Sequence, residues 1–334
     1  MNCIGLDISK STINVHIPKG ALDIELENSF KAIKSLFSKL KKIYKKEINN
    51  LVFTYEPTGS YSYLLTKFCS QKQIKVFMIN PKQGHNFAKA IGQRGKNDKI
   101  DAKMLSCAIS IAKDSDIKVP LINTFEQEIK ELIGYYKFTT KQRVQTGNHL
   151  ESVSEKEGSS YLTKELRKTI KDLKTKEEKT IAKIKELIVQ DSVLYEKFNN
   201  IRSIKGIGDI AAIVLVHLFL KYPNANQREI ISLSGLDPVE RTSGTSIKGK
   251  SRISKAGSRL YRGSLFMSAM VAIRHNNEIK TFYERLKANG KHTTVAQVAV
   301  IKKMIIVAHS LYTNNVAYDA DFYQKSCGNK QLCA

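Results

Sequence analysis

Apolar and polar positions follow two different rhythms along the first part of the chain. Residues 2–8, 12–17 and 22–27 are short β-rich runs with polar breaks between them, which predicts a meander of three strands. From Ser29 to about Lys46 the period lengthens: Phe30, Ile33, Leu36, Phe37, Leu40 and Ile43 recur at helical spacing, with lysines on the other face. A strand Leu51 to Tyr55, a helix around Tyr61 to Gln71, a strand Lys75 to Ile79, a helix after Pro81 and another from Asp98 to Ala112 follow. The order β-β-β-α-β-α-β-α predicts an α/β domain over 1–120, a mixed sheet flanked by helices as in the ribonuclease H-like fold.

Beyond it the pattern becomes helical. Residues 125–199 carry Phe125, Ile129, Leu132 and Tyr136, then Leu166, Ile170, Leu173, Ile184 and Leu187, in a Lys/Glu-rich background without proline. Two long helices fit, a helical coiled-coil linker or oligomer contact over 121–199 whose stripe is interrupted by Glu177 and Thr180. From 200 to 313 the chain reads as a globular, helical and basic domain, and 314–334 reads as a loose tail.

Length and charge narrow the function. A chain of 334 residues holds more than one core. Its 55 Lys and Arg against 31 Asp and Glu, a balance of +24, favour polyanionic partners, nucleic acid first. The longest apolar stretch, Ile210 to Leu220, is short of the ~20 residues that span a bilayer. No export signal precedes the first strand, so a cytoplasmic protein without a membrane partner is expected. Five cysteines without a C-x-x-C pair point to reduced thiols rather than a disulfide framework or a zinc site, and the seven histidines show no ligand spacing. His217, inside the apolar run, reads as a core residue.

Four carboxylates fall where they can converge. Asp7 ends the first strand, Glu56 ends the fourth, and Asp98 and Asp101 lie three apart at the start of a helix, on one face. Such a cluster suits Mg2+, with Mn2+ as a substitute: hard cations take oxygen ligands, and two ions ~4 Å apart serve phosphodiester chemistry. The plainer reading makes Asp98 a helix N-cap, Asp101 a first-turn charge, and Asp7 and Glu56 strand-end surface residues.

The second half carries glycine and serine motifs. Ile204-Lys-Gly206-Ile-Gly208-Asp209 opens the apolar helix, either as a helix-hairpin-helix-like turn that offers backbone N–H groups to phosphate or as a simple tight turn. Gly244 to Ser251 matches G-x-x-x-x-G-K-S literally, but the preceding residues contain Pro238 and charges instead of an apolar strand, which excludes a nucleotide-binding P-loop. Ser243 stands in a turn-prone loop followed by Lys248, Lys250, Arg252, Lys255, Arg259 and Arg262 without an intervening acid. A hydroxyl there could attack a phosphodiester or only contact phosphates, and spacing does not choose Ser243 over Thr245, Ser246 or Ser251.

Gly5-Leu-Asp7-Ile-Ser-Lys10, Tyr55-Glu56-Pro-Thr-Gly-Ser-Tyr61, Ile79-Asn-Pro81 and Lys96-Asn-Asp98-Lys-Ile-Asp101-Ala102 together resemble the DEDD domain of the insertion-sequence 110/116/902 transposases, relatives of the Piv invertase. Ile204 to Gly208, Leu233-Ser-Gly-Leu236, Ser243-Gly-Thr-Ser246 and Ile253-Ser-Lys-Ala-Gly257 resemble that family's C-terminal domain. The resemblance implies a RuvC-like domain holding Mg2+ through Asp7, Glu56, Asp98 and Asp101, and Ser243 as the nucleophile. It further implies recombination of double-stranded DNA through phosphoserine intermediates, guidance by a non-coding bridge RNA, and a composite site in a dimer or tetramer. Asn97 stands where Thr is usual, and Asp237 replaces a small residue, adding negative charge near the serine loop. The alternative is a metal-dependent nuclease or junction resolvase without a covalent intermediate.

Overall fold

The computed structural model describes residues 1–319 apart from 94, 96, 157 and 244–246, and leaves out the side chains of 241–243, 247, 248 and 250. It divides into two compact units, Met1–Asn123 and one beginning at Thr124.

In the first unit β1 (Asn2–Ile8), β2 (Thr12–Ile17) and β3 (Leu22–Glu27) form the antiparallel meander, with Leu6 opposite Val15 and Asn14 opposite Glu25. Helix α1 (Phe30–Tyr44) starts where the Ser29 side chain accepts from the Ala32 N–H. It ends at Tyr44, two residues before the expected Lys46, with Lys45 as its C-cap at φ +46°, and a 3-10 turn carries the chain to the next strand. Strand β4 (Leu51–Tyr55) runs parallel to β1, and β5 (Lys75–Met78) parallel to β4, connected through α2 (Tyr63–Lys72). Helices α3 (Pro81–Ala90) and α4 (Asp98–Cys107) follow, and a two-residue strand β6 (Ile117–Lys118), too short to leave a pattern in the sequence, pairs antiparallel with β5.

The sheet order is β3-β2-β1-β4-β5-β6. Every residue of β4 is buried, as a strand covered on both faces must be, which is why it reads as an unbroken apolar run. Ile33, Leu36 and Leu40 of α1 and Leu65 and Phe68 of α2 belong to one core cluster, while Met104 and Leu105 of α4 join Val52, Phe77 and Ile79 in another. A fully buried side chain of this size is worth about 1.5–3 kcal/mol, so the helix stripes hold the sheet sandwiched.

The second unit begins with α5 (Thr124–Ser154) and α6 (Ser160–Val189). Ile129 and Ile133 share a core with Ile184 and Ile188, and Arg143 Nε donates to Glu177 Oε1 at 2.7 Å, so the two helices run antiparallel. Leu173, Glu177, Thr180, Ile184 and Leu187 are buried in a 4-3 alternation, with Ile188 beside the last of them, and the two polar interruptions of the stripe occupy the seam. Glu177 is tolerated there because Arg143 neutralises it.

Helices α7 (Ser192–Arg202), α8 (Asp209–Lys221), α9 (Gln227–Ser234), α10 (Arg259–His275), α11 (Asn277–Ala288) and α12 (Thr293–Asn314) build the second core around α8, whose residues Ala211–Phe219 are all buried. His217 lies at its centre, 2.7 Å from Glu126 and 3.3 Å from the Tyr261 hydroxyl, the partnered core residue the sequence predicts. By length and composition α12 is the one helix among the described residues that could cross a membrane. Its Val300, Ile301, Met304, Ile305, Ala308 and Leu311 instead face this core, and Lys302 and Lys303 interrupt it. One departure from the all-helical expectation is a hairpin, β7 (Pro238–Ser243) and β8 (Ile247–Ile253), with a register shift between Val239 and Arg241. Its sequence opens on proline and is dense in charge, so no apolar alternation announces it.

Candidate active site

Parallel pairing places the first two carboxylates. Leu6 stands opposite Tyr55 in the β1–β4 register, so Asp7 and Glu56, one residue further on each strand, emerge side by side at the same sheet edge. Two glycines then let helices close over that edge. A Cβ on Gly5 would fall 1.9 Å from the Ala102 carbonyl oxygen, so α4 crosses β1 in direct backbone contact and carries Asp98 and Asp101 on its first turn. A Cβ on Gly84, within α3, would fall 2.3 Å from Glu56 Oε1, so this carboxylate lies against the bare helix backbone.

The plainer reading of Asp98 as an N-cap does not hold. Asn97 caps α4, its side chain accepting from the Lys99 N–H at 2.9 Å, which leaves the Asp98 carboxylate available. The other three acids act on Asp7: burial first, then Asp98, Asp101 and Glu56, raise its carboxyl from the ordinary 3.8 to about 6. Asp7, Glu56 and Asp101 line an opening of about 440 Å³ together with Gly84, His85 and Gln93. Gln93 Nε2 donates to Asp101 Oδ1 at 2.7 Å and fixes that carboxylate.

Sequence reasoning passed over Gly5 as a packing residue, and Gly84, His85 and Gln93 altogether. For Gly84 there was a signal, since a glycine inside a helix that has a proper cap and Pro81 at its start usually has a packing reason. Gln93 and His85 left none. The donors are all hard oxygens and mutually repulsive, the chemistry of a divalent-cation site. Among the described residues no group of three His, Cys, Asp or Glu is already drawn close enough to hold an ion, so loading would require the exposed Asp98 and the other carboxylates to turn inward.

In the second unit Ser243 is the last residue of β7, paired with Ile247, rather than part of an irregular loop. Its side chain, those of Lys248 and Lys250, and residues 244–246 lie outside the described set. The base of the hairpin is tied by polar contacts. Asp237 Oδ1 accepts from Ser254 Oγ at 2.5 Å, and the Ser254 N–H donates to the Asp237 carbonyl at 2.9 Å. Six strand residues separate Asp237 from Ser243, roughly 20 Å at ~3.3 Å per residue, so the added negative charge serves the base of the hairpin rather than its tip.

Arg252, Lys255 and Arg259 are exposed. Arg262 is half-buried, and its Nη1 donates to the Ser234 and Gly257 carbonyls, each at 2.8 Å. Lys137 of α5, unremarked in the sequence, has its ammonium held below the usual lysine range by burial and by Arg259, so this face concentrates positive charge.

Gly206 adopts φ +105°, and a Cβ there would lie 2.6 Å from Ala272 Cβ, so it lets α10 pack on the turn between α7 and α8. Gly208, with nothing within 4 Å of an added Cβ, is the N-cap of α8, so the Asp209 carboxylate does not cap the helix. Asp209 instead pairs with Lys185 and with Arg202 Nε, the latter at 2.7 Å.

Two family profiles match this chain. One, described as a DEDD-type IS110 transposase, covers residues 4–155, and the other, the transposase IS116/IS110/IS902 family, covers 198–284. A pilin gene-inverting protein of Moraxella bovis is 24% identical over 274 residues, 80% of this chain and 82% of its own. Its counterpart from Moraxella lacunata is equally similar. An uncharacterised 43.6 kDa protein of insertion element IS110 from Streptomyces coelicolor is 29% identical over 121 residues, 35% of this chain and 29% of its own. A carboxylate-lined sheet edge and these matches define a DNA transposase or recombinase, an enzyme that breaks and rejoins DNA strands. Within that class, the chain belongs to the IS110 family of transposases.

Proposed function

We propose that the protein excises and inserts a mobile element by exchanging DNA strands through a phosphoserine link, using the carboxylate edge of one unit and Ser243 of the other. The observation that carries the first half is the β1–β4 register that sets Asp7 beside Glu56, with Asp101 lining the same opening, an arrangement in which burial and the neighbouring acids raise the Asp7 carboxyl. Such mutual repulsion suits residues arranged for a cation. The sheet order β3-β2-β1-β4-β5 with acids on β1, after β4 and on the helix crossing β1 supports a RuvC-like, ribonuclease H-type reading of this unit. Asp7, Glu56, Asp98 and Asp101 would hold Mg2+ or Mn2+, which when bound lowers the charge barrier to attack on a phosphodiester.

Ser243 Oγ would form a bond to the phosphorus as the ester bond to one sugar oxygen breaks. The hydroxyl proton passes to a base and the departing sugar oxygen takes up a proton; attack by another strand's hydroxyl reverses these steps and frees the serine. Lys248, Lys250, Arg252, Lys255 and Arg259 would hold the phosphate backbone, and the α7–α8 turn at Gly206 and Gly208 would offer further N–H groups. Arg262, committed to two backbone carbonyls, would support the hairpin rather than the DNA. The family resemblance supports a bridge RNA guide, a dimeric or tetrameric assembly and a cytoplasmic location.

The test is a denaturing gel of the protein with element-end DNA, Mg2+ and candidate RNA, comparing wild type with Ser243→Ala and Asp101→Ala. A covalent protein–DNA adduct in wild type, absent in both variants, is expected. Cleavage without an adduct, unaffected by Ser243→Ala, would replace this reading with a metal-dependent nuclease.

A further inference from the structure

At the other end of the sheet from the carboxylates, where β4 and β5 begin, a second pocket of about 440 Å³ opens. It is lined by the buried or half-buried Phe37, Ile48, Leu51 and Ile74 and by the exposed Lys41, Lys72 and Lys75, with no carboxylate among the lining residues. Lys41 Nζ lies 5.1 Å from the centre of the Phe37 ring, so charge and aromatic surface meet at one wall. The nearest acid in the sequence, Glu47, is engaged elsewhere, accepting from Asn2 Nδ2 at 3.2 Å and lying 3.9 Å from Lys19. From Ser29 to Tyr55 it is the one carboxylate against seven lysines. Three ammonium groups around one concavity repel each other unless an anion sits among them.

The pocket's size falls in the ~300–1,000 Å³ range of small-ligand sites, and its composition sets the ligand. Apolar side chains that include an aromatic ring suit a flat heterocycle, and exposed lysines beside them suit the phosphates that flank it. That pairing is how proteins hold single-stranded nucleic acid, whereas a duplex keeps its bases stacked inside. We propose that this pocket seats a nucleotide of a single-stranded polynucleotide, the base against Phe37, Ile48 and Ile74 once Lys41 swings from the Phe37 ring to a phosphate, and the flanking phosphates on Lys41, Lys72 and Lys75.

Leu51, which opens β4, lines this pocket, and Glu56 follows the end of that strand. Five strand residues at ~3.3 Å each separate them by roughly 15 Å. The seated nucleotide is therefore not at the scissile phosphate of the same unit, and the pocket is a second anchoring point. It depends on the function proposed above only for the source of the strand.

Full-length protein is titrated into a labelled 12-nucleotide single-stranded DNA, the same sequence as RNA, and a duplex, across a range of salt. Lys41→Ala/Lys72→Ala/Lys75→Ala is compared with Lys31→Ala/Lys34→Ala/Lys39→Ala, which removes three exposed lysines of α1 outside the pocket. The pocket variant is expected to bind one or both single strands at least fivefold more weakly, with the logarithmic salt slope shallower by about 2, near 0.7 per phosphate contact. The control variant and the duplex should change less than twofold, and the tighter of DNA and RNA identifies the source. Equal losses for both triple variants, or equal losses for duplex and single strands, would show only general charge attraction and overturn the proposal. Binding is read without Mg2+ and without strand cleavage, so a failure of the strand-exchange chemistry leaves this result separate.

Discussion

The carboxylate edge and the serine hairpin are positioned in opposite ways. Asp7 and Glu56 inherit their places from the register of two buried parallel strands, and α3 and α4 are drawn over them because Gly84 and Gly5 present no side chain. Ser243 ends one arm of a two-stranded hairpin, an element with little stability of its own. That hairpin is tied at its root by the Asp237–Ser254 contacts and by Arg262 on the Ser234 and Gly257 carbonyls. Like charges need packing to hold them together, so the first site is sensitive to volume. A projecting arm is steered by a few polar ties, so the second is sensitive to losing a donor.

The largest effect should therefore come from a side chain at Gly5. Gly5→Val puts atoms where the Ala102 carbonyl lies and should destabilise the first unit by about 3 kcal/mol, the upper end for overpacking. Gly134→Ala, on α5 with nothing within 4 Å, should instead stabilise by about 0.5–1 kcal/mol. Urea unfolding followed by far-UV circular dichroism compares them. Equal midpoints for Gly5→Val and wild type would mean that α4 does not cross β1 in backbone contact.

Next come the two arginines of the hairpin region. Arg262→Ala strands two carbonyls and should cost about 2 kcal/mol, while exposed Arg259→Ala should stay within about 0.5 kcal/mol. The binding ranks should invert: Arg259→Ala should lower the slope of DNA affinity against salt by about 0.9, and Arg262→Ala should leave it unchanged once folded. Matching melting curves for the two would erase the distinction between strut and contact.

Much of this contrast was legible in the sequence because period survives folding. The strands at 2–8, 12–17, 22–27 and 51–55 have the boundaries their alternation and apolar runs indicate, and the acids at their ends were found through them. The hairpin was missed because the sequences of Pro238–Ser243 and Ile247–Ile253 carry charge and no apolar alternation. The plainer alternative of Asp98 as a cap stayed open in the sequence because Asn97, an equally good cap, stands immediately before it. Gln93 was invisible for another reason: its contact with Asp101 is tertiary, and nothing in residues 91–97 has a period.

Asp7→Asn should produce a smaller change of opposite sign in stability and function. The Asp7 carboxyl is raised from 3.8 to about 6, so the folded protein binds this proton more tightly than the unfolded chain does. Stability therefore falls as pH rises from near 3.8 to about 6 and carries the full penalty above that. Removing the charge should return about 1 kcal/mol at pH 7, after allowing for solvent screening of a half-buried group, and nothing near pH 4. Thermal melts at both pH values measure it, and a variant that melts below wild type at pH 7 would contradict the repulsion. Strand cleavage should be lost.

The smallest effect on stability, and the sharpest probe of the carboxylate edge, is Gln93→Ala. Gln93 is half-buried and its amide donates to a single oxygen of Asp101, so its removal should leave the melting temperature within a degree or two. What changes is the order of the carboxylate. A ligand whose supporting hydrogen bond is removed must be fixed by the cation itself, and such losses weaken metal affinity or activity by about 10–100-fold. The half-saturating Mg2+ concentration for DNA cleavage should therefore rise about tenfold, with the wild-type rate recovered at saturation. A lower rate at every Mg2+ concentration with an unchanged midpoint would place Gln93 beside the DNA instead, and the hydrogen bond to Asp101 would then be incidental to cation binding.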